Sequence, residues 1–351
     1  MIIEKILAFD IEKILSYAKK QGCSDVHIST NAVPIVRIDG DMIPIPGMTV
    51  LNKDQVREMI YSVMTEPQKK IYEQKLELDF SIQVGEDLRF RVNAFRTIAG
   101  PAAAFREIPN VVRTLSDLHV PEAVRTLTKL TKGLILVVGP TGSGKSTTLS
   151  ALIDQINVTQ DVHIITIEDP VEFVHKNKKS LVNQREVGSS TLSFSNALRS
   201  ALREDPDVIL VGELRDVETI QLALTAAETG HLVLATLHTS SAAQTINRII
   251  DVFPAEDKPV IRSILSSSIK AVVSQRLVKK IGGGRCAIFE VMIANSSIRN
   301  LIREDKIPQI NSIMELGKKA GMCTMKDSIN ELLERGFIST EVAQEASTAS
   351  E

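Results

Sequence analysis

Residues 134–153 read LILVVGPTGSGKSTTLSALI: an apolar run, a glycine-rich turn, then a helix-forming stretch. No other segment limits the fold so strongly. Gly139 to Ser146 match GxxxxGK[ST], in which a strand feeds a loop whose backbone N–H groups turn inward around phosphate oxygens. The turn needs glycines because side chains would block both its left-handed dihedrals and the approach of phosphate. The helix that follows adds a favourable dipole and free N–H donors. On this reading Gly139, Pro140, Thr141, Gly142, Ser143 and Gly144 form the cradle. Lys145 reaches the β and γ phosphates of a nucleotide, Ser146 is a ligand of Mg²⁺, and Thr147 and Thr148 stand next in line. The expected fold class is therefore α/β.

Three further apolar runs, HIITI, VILVG and HLVLATL, are short and nearly continuous, as buried parallel strands are. Each leads into a polar residue at its carboxyl end, where open α/β sheets bind ligands. Glu168 and Asp169 follow the first run. Glu168 would orient or activate water, or hold a water on Mg²⁺, while Glu172 is read as structural. Glu213 follows the second run. It has one methylene more reach than aspartate, enough for the metal's water shell or for the attacking water. The residues leave Glu168 and Glu213 competing for the role of base. Asp207 precedes its strand, at the wrong end for catalysis. Arg215 and Asp216 are expected to pair locally or to face a neighbouring subunit. His238 follows the third run and can face the γ phosphate, whereas His231 precedes it. Two histidines without a third suitably spaced ligand do not make a zinc site.

The chain has 351 residues, enough for two or three domains. Residues 1–108 read as a smaller α+β unit. Helical periodicity runs from Ile11 to Lys20, with Ile6, Ile11, Ile14 and Leu15 on one side, and packing on its own domain is its expected use. Alternating segments at 25–30, 34–45, 77–83 and 88–96 are expected strands, with a turn at Asp39–Gly40, and residues 52–75 are expected helices broken before Pro67. Residues 109–121 form the expected linker, apolar enough to pack. Residues 122–351 are the α/β domain, with helix-rich stretches at 257–279 and 307–345 and a frayed polar end. Cys23, Cys286 and Cys323 are too dispersed for a zinc or disulfide framework. No run reaches the 18 apolar residues of a membrane span, and Glu4, Asp10 and Glu12 interrupt the N-terminus in a way no secretory signal tolerates. Formal net charge is −2 and aromatic content is 4% with no tryptophan, which argues against a nucleic-acid motor.

Four ordered motifs carry a resemblance over nearly the whole chain: GPTGSGKS, ITIEDPVEF, DPDVILVGELRD and TGHLVLATLHT. Together they resemble the phosphate loop, Asp box, Walker B and His box of the secretion ATPase superfamily, and within it the type IV pilus retraction ATPases. The segment SSIRNLIREDK at 296–306 is similar to the retraction signature AIRNLIRE, with two serines at its start. Phe289 departs from the histidine often found there, and AAAFREIP from GAVFRTIP.

The resemblance implies a PAS-like N-terminal domain, a RecA-like ATPase domain, ATP and Mg²⁺ as cofactors, and a homohexamer in which nucleotide lies between domains. It implies catalytic roles for Glu213, Glu168, Lys145 and His238, and Mg²⁺ near Ser146 and Glu213 through water. Arg89, Arg91, Arg96 and Arg106 are candidates for charge supplied across a moving interface, with Arg89 and Arg91 on one strand face. It also implies a cytoplasmic location at the inner-membrane pilus base, a pilus platform protein as partner, interplay with an extension ATPase and an accessory retraction ATPase, and no nucleic acid. The alternatives are a pilus extension or type II secretion ATPase, a nucleic-acid motor, or a nucleotide-gated scaffold.

Overall fold

A computed structural model describes residues 10–38, 41–85, 88–108 and 112–348. The expected turn at Asp39–Gly40 and the residue Ile6 lie outside them. The chain divides into two compact units, Met1–Val111 and Val112–Glu351.

Among the described residues, the first unit is a six-stranded antiparallel sheet with three helices. Its strands are β1 (Asp25–Ser29), β2 (Ile35–Ile38), β3 (Asp41–Pro44), β4 (Glu77–Val84), β5 (Leu88–Arg96) and β6 (Pro101–Ile108), in the order β3-β2-β1-β6-β5-β4. The helices are α1 (Ile11–Lys20), α2 (Lys53–Ser62) and α3 (Glu66–Lys75). Strand alternation sorts the residues onto two faces. Register aligns Val36, Val26, Phe105, Val92 and Phe80 across the sheet, all buried. Against them pack Ile11, Ile14 and Leu15 of α1, Val56, Met59 and Ile60 of α2, and Tyr72 of α3. One position along, the opposite face carries the row Arg37, Asp25, Arg106, Arg91 and Ser81. Asp10 caps α1 through the N–H groups of Glu12 and Lys13, and Asn52 and Gln55 form a reciprocal capping box on α2.

The second unit is built on a seven-stranded sheet in the order β13-β12-β7-β11-β10-β8-β9. The strands are β7 (Gly133–Val138), β8 (His163–Glu168), β9 (Leu181–Glu186), β10 (Val208–Val211), β11 (Leu232–Leu237), β12 (Ile269–Lys279) and β13 (Arg285–Ile293). All neighbours run parallel except β12 and β13, which pair antiparallel. Helix α4 (Glu122–Thr126) precedes β7, and the crossovers include α5 (Lys145–Thr159), α6 (Phe194–Ala201), α7 (Val217–Glu228), α8 (Ala242–Asp251) and α9 (Lys258–Ser268). Helices α10 (Ser296–Arg303), α11 (Ile310–Leu316), α12 (Met325–Glu334) and α13 (Thr340–Thr348) complete it. Every residue of β7, β10 and β11 is buried, because helices cover both faces of the sheet. Each such Val, Leu or Ile contributes roughly 1.5–3 kcal/mol of transfer free energy.

Two expectations need correction. Residues 257–279 are not helical throughout: α9 ends at Ser268 and β12 begins at Ile269, because this segment closes the sheet beside β7 and hairpins onto β13 across Gly282–Gly284. The C-terminal stretch is helical to Thr348, with Ala343 and Ala346 buried. The expected linker does pack: Leu115 and Val120 are buried core residues of the second unit.

Candidate active site

Parallel pairing of β7, β8, β10 and β11 brings their carboxyl ends to one edge of the sheet. Glu168 ends β8, Glu213 and His238 stand just beyond β10 and β11, and Lys145 opens α5 after the loop that leaves β7. The phosphate loop leaves β7 with Gly139 at φ +147°, Gly142 at +77° and Gly144 at +89°. At Gly142 a side chain would meet nothing within 4 Å, so the loop's outer turn is open. Lys145, 9% exposed, donates from Nζ to the carbonyls of Gly139 at 2.8 Å and Pro140 at 3.0 Å, and lies 3.5 Å from His238 Nδ1. Burial pulls its pKa below the ordinary lysine value, against the opposing influence of Glu213 and Glu172.

Glu213 stands just beyond β10. One carboxylate oxygen lies 3.3 Å from His238 Nε2, and the other accepts from Arg215 Nε at 2.7 Å. Arg215 also reaches Asp169, at 3.6 Å. The expected Arg215–Asp216 pair is not what forms: Asp216 caps α7 through the N–H and hydroxyl of Thr219. Lys145, His238, Glu213, Arg215 and Asp169 thus make one continuous polar row.

Glu168 is half-buried at the end of β8. It accepts hydrogen bonds from Thr166 Oγ1 at 2.7 Å and Gln184 Nε2 at 3.3 Å. Burial nevertheless pushes its carboxyl up to about 7. It lines a small cavity of about 30 Å³ with Ser146, Ser150, Phe173, His175, Gly212 and Thr236, so the Mg²⁺-ligand candidate and one candidate base share a space. A more open cleft of about 510 Å³ lies beside Pro140, His238, Thr239, Ser240, Gln244 and Arg276.

Other expected residues have different places. His231 sits at the opposite end of β11, its Nδ1 3.0 Å from the carbonyl of Ala226. Asp207 accepts from the N–H of His163 and ties the amino-terminal ends of two strands. Thr148 is buried and donates its hydroxyl to Gln275 Oε1, so its side chain is a contact within the protein. In the first unit Arg106 Nε bonds Asp25 at 2.8 Å, Arg89 donates to Ser81 at 3.0 Å, and Arg91 lies 3.9 Å from Asp79. Phe289 is a core side chain, 2% exposed. Gln275 escaped sequence reading because its strand carried no motif and was read as helical.

The residues fit a nucleotide's phosphates. A Cβ on Gly139 or Gly144 would strike atoms of the surrounding chain at 2.2 and 2.8 Å. Ser143 Oγ is buried without a hydrogen-bond partner beside the loop, a donor suited to a phosphate oxygen. Among the described residues no group of three or more His, Cys, Asp or Glu side chains could hold a metal ion. A hard cation here would draw on hydroxyl, phosphate and water oxygens.

Residues 3–283 match the family model described as "Type II/IV secretion system protein". The chain belongs to this family. It is 54% identical over 96% of its length to the type IV pilus retraction ATPase PilT of Pseudomonas aeruginosa, covering 97% of that protein. It is 53% identical to a twitching motility protein of Neisseria gonorrhoeae, over 98% of this chain and 92% of the other. A crystal structure of the pilus retraction motor PilT with bound ADP superposes with a TM-score of 0.91 at 47% identity, covering 96% of each chain. Family membership makes the second unit a RecA-like ATPase domain. Among the described residues, no helix is long and apolar enough to cross a membrane.

Proposed function

We propose that this chain hydrolyses ATP with Mg²⁺ and uses the cycle to drive retraction of a type IV pilus, and with it twitching motility. The observation that carries the reading is the meeting of Lys145, Glu213 and His238 at the phosphate loop, in a chain that aligns end to end with a curated retraction ATPase.

The residues divide the work. Lys145 places a cation on the β and γ phosphates, and its low-dielectric surroundings strengthen that attraction. Ser146, and Glu213 through water, would hold Mg²⁺, which would supply further neutralisation of phosphate charge. Glu213 orients the attacking water while His238 and Arg215 fix its carboxylate. Glu168, protonatable near neutrality, takes or shares the water's proton. The chain works as a homohexamer at the cytoplasmic face of the inner membrane, on the pilus platform protein and alongside extension and accessory retraction ATPases. Residues 1–108 form the PAS-like domain and 109–121 the linker to the motor domain at 122–351. Arg89 and Arg91 are the first-unit arginines proposed to supply charge to the active assembly. Arg106 is primarily structural, since moving it would strand Asp25, which is 7% exposed.

The deciding experiment is a deletion strain scored for surface filaments and twitching, complemented with wild type, Lys145→Ala and Glu213→Gln. Excess filaments without movement, rescued by wild type alone, support retraction. Loss of filaments would assign extension instead. Rescue by a Lys145→Ala chain that hydrolyses no ATP would overturn the motor reading.

A further inference from the structure

Gln275 lies in the middle of β12, the strand that flanks β7 on the side away from β11. Its residue is 2% exposed, and its amide bonds the phosphate loop at two points. Nε2 donates to the carbonyl of Ser143 at 2.7 Å, inside the loop, and Oε1 accepts from Thr148 Oγ1 at 2.8 Å, in the first turn of α5. One planar group therefore ties the loop to the helix that follows it.

Gln275 also shapes the space around the loop. A Cβ on Gly139 would come within 2.2 Å of the Gln275 carbonyl oxygen, and one on Gly144 within 2.8 Å of its Nε2. Two glycines of the motif are thus required by this neighbour as well as by their dihedrals. The preceding residue, Ser274, donates from Oγ to the carbonyl of Ser240 at 2.7 Å, in the loop that begins with His238. Strand β12 holds both loops whose approach sets the 3.5 Å separation of Lys145 Nζ and His238 Nδ1.

A loop rich in glycine has many conformations open to it, and any ordering needed on binding is subtracted from affinity. Two bonds to a buried, rigid strand remove that freedom independently of the nucleotide. We infer that Gln275 is a positioning residue for nucleotide phosphates, acting through Ser143 and Thr148 to hold the loop in its phosphate-accepting shape. This rests on the ATPase reading above. It makes Thr148 a latch for the loop.

The test compares full-length wild type, Gln275→Leu, Thr148→Val and the double variant, using binding of fluorescently labelled ADP with Mg²⁺, steady-state ATP hydrolysis and thermal unfolding without nucleotide. Gln275→Leu should weaken ADP binding and raise KM for ATP by about tenfold each, with a smaller fall in kcat, as expected for buried partners left unsatisfied. The double variant should bind no more weakly than Gln275→Leu, because both changes cut the same bond. A purely structural role would lower thermal stability and the folded fraction while leaving KM and ADP affinity at wild-type values, and that result overturns the proposal. Should Gln275→Leu fail to fold, Thr148→Val decides: wild-type KM and ADP affinity in that variant overturn it equally. Failure of the ATPase reading looks different, since Lys145→Ala would then match wild-type turnover whatever Gln275 does.

Discussion

The Glu213 carboxylate and the His238 imidazole approach to 3.3 Å, while the other carboxylate oxygen is held at 2.7 Å by Arg215. A carboxylate anchored on both sides can aim at water without reorganising during reaction, which is where electrostatic preorganisation acts. Glu213→Gln keeps the size and removes the charge. It should lower kcat by about 100-fold or more, the scale of a lost preorganised electrostatic contact, while ADP affinity changes much less. Single-turnover hydrolysis and labelled-ADP titration measure the two. Near-wild-type turnover would show that Glu213 does not orient the water.

Glu168 offers a test by pH. Burial pushes its carboxyl up to about 7, and the bonds from Thr166 and Gln184 hold it from rising further. If Glu168 accepts the water's proton it must be ionised, so turnover should climb as pH rises through about 7. Thr166→Val removes a bond to the charged form and should move that limb to higher pH. An unmoved limb would leave Glu213 as the base.

The same shift bears on stability. The folded-state pKa lies above the ordinary 4.5, so Glu168 binds more protons folded than unfolded. Its favourable contribution is complete below about 4.5 and is lost as pH rises through about 7. At pH ~8 the ionised carboxylate should cost on the order of 2 kcal/mol, allowing for partial exposure. Glu168→Gln should therefore unfold at a higher temperature than wild type near pH ~8, with the gain vanishing near pH ~4.5. Thermal unfolding of the nucleotide-free chain across pH checks the sign.

The motif glycines divide by surroundings. A Cβ at Gly139 would lie 2.2 Å from the Gln275 carbonyl and 2.6 Å from Ser143 Oγ, whereas at Gly142 it would meet nothing within 4 Å. Gly139→Ala should abolish nucleotide binding. Gly142→Ala bears only the left-handed dihedral penalty, about 1–2 kcal/mol, and should retain weakened binding. Equal loss in both would mean the dihedrals alone set the requirement.

Much of the site was legible because parallel strands buried on both faces are nearly continuous apolar runs, and their ends name the polar residues that gather. Glu168, Glu213 and His238 were found this way. Gln275 was not. Its role comes from pairing with Ser143, 132 residues away in sequence, on a strand whose apolar spacing continues that of α9. Edge strand β9, LVNQRE, was missed because one open edge and four polar residues erase the apolar run. The partners of Arg215 were equally hidden, since its nearest acid in sequence, Asp216, is claimed by the first turn of α7.

The first unit offers its own test in Asp25 and Arg106. Asp25 is 7% exposed and accepts from Arg106 Nε and Ser24 Oγ, each at 2.8 Å. Burial alone would raise its carboxyl, but these bonds outweigh it and hold the pKa below the ordinary value. Its stabilisation is therefore present above the unfolded pKa and is lost as pH falls through the folded one. Cross-strand register also sets Asp25 in a row with Arg37, Arg106 and Arg91. Removing it leaves Ser24 and the largely exposed Arg106 without this acceptor, so Asp25→Ala should cost roughly 1–3 kcal/mol. Arg106→Ala strands the buried carboxylate and should cost a similar amount near neutrality, shrinking as acid protonates Asp25. Hydrogen exchange in β1 and β6 of the full chain, read for each variant at two pH values, separates the pair from a general loss of stability. Equal exchange at both pH values in Arg106→Ala would show that the buried charge is not what the arginine offsets.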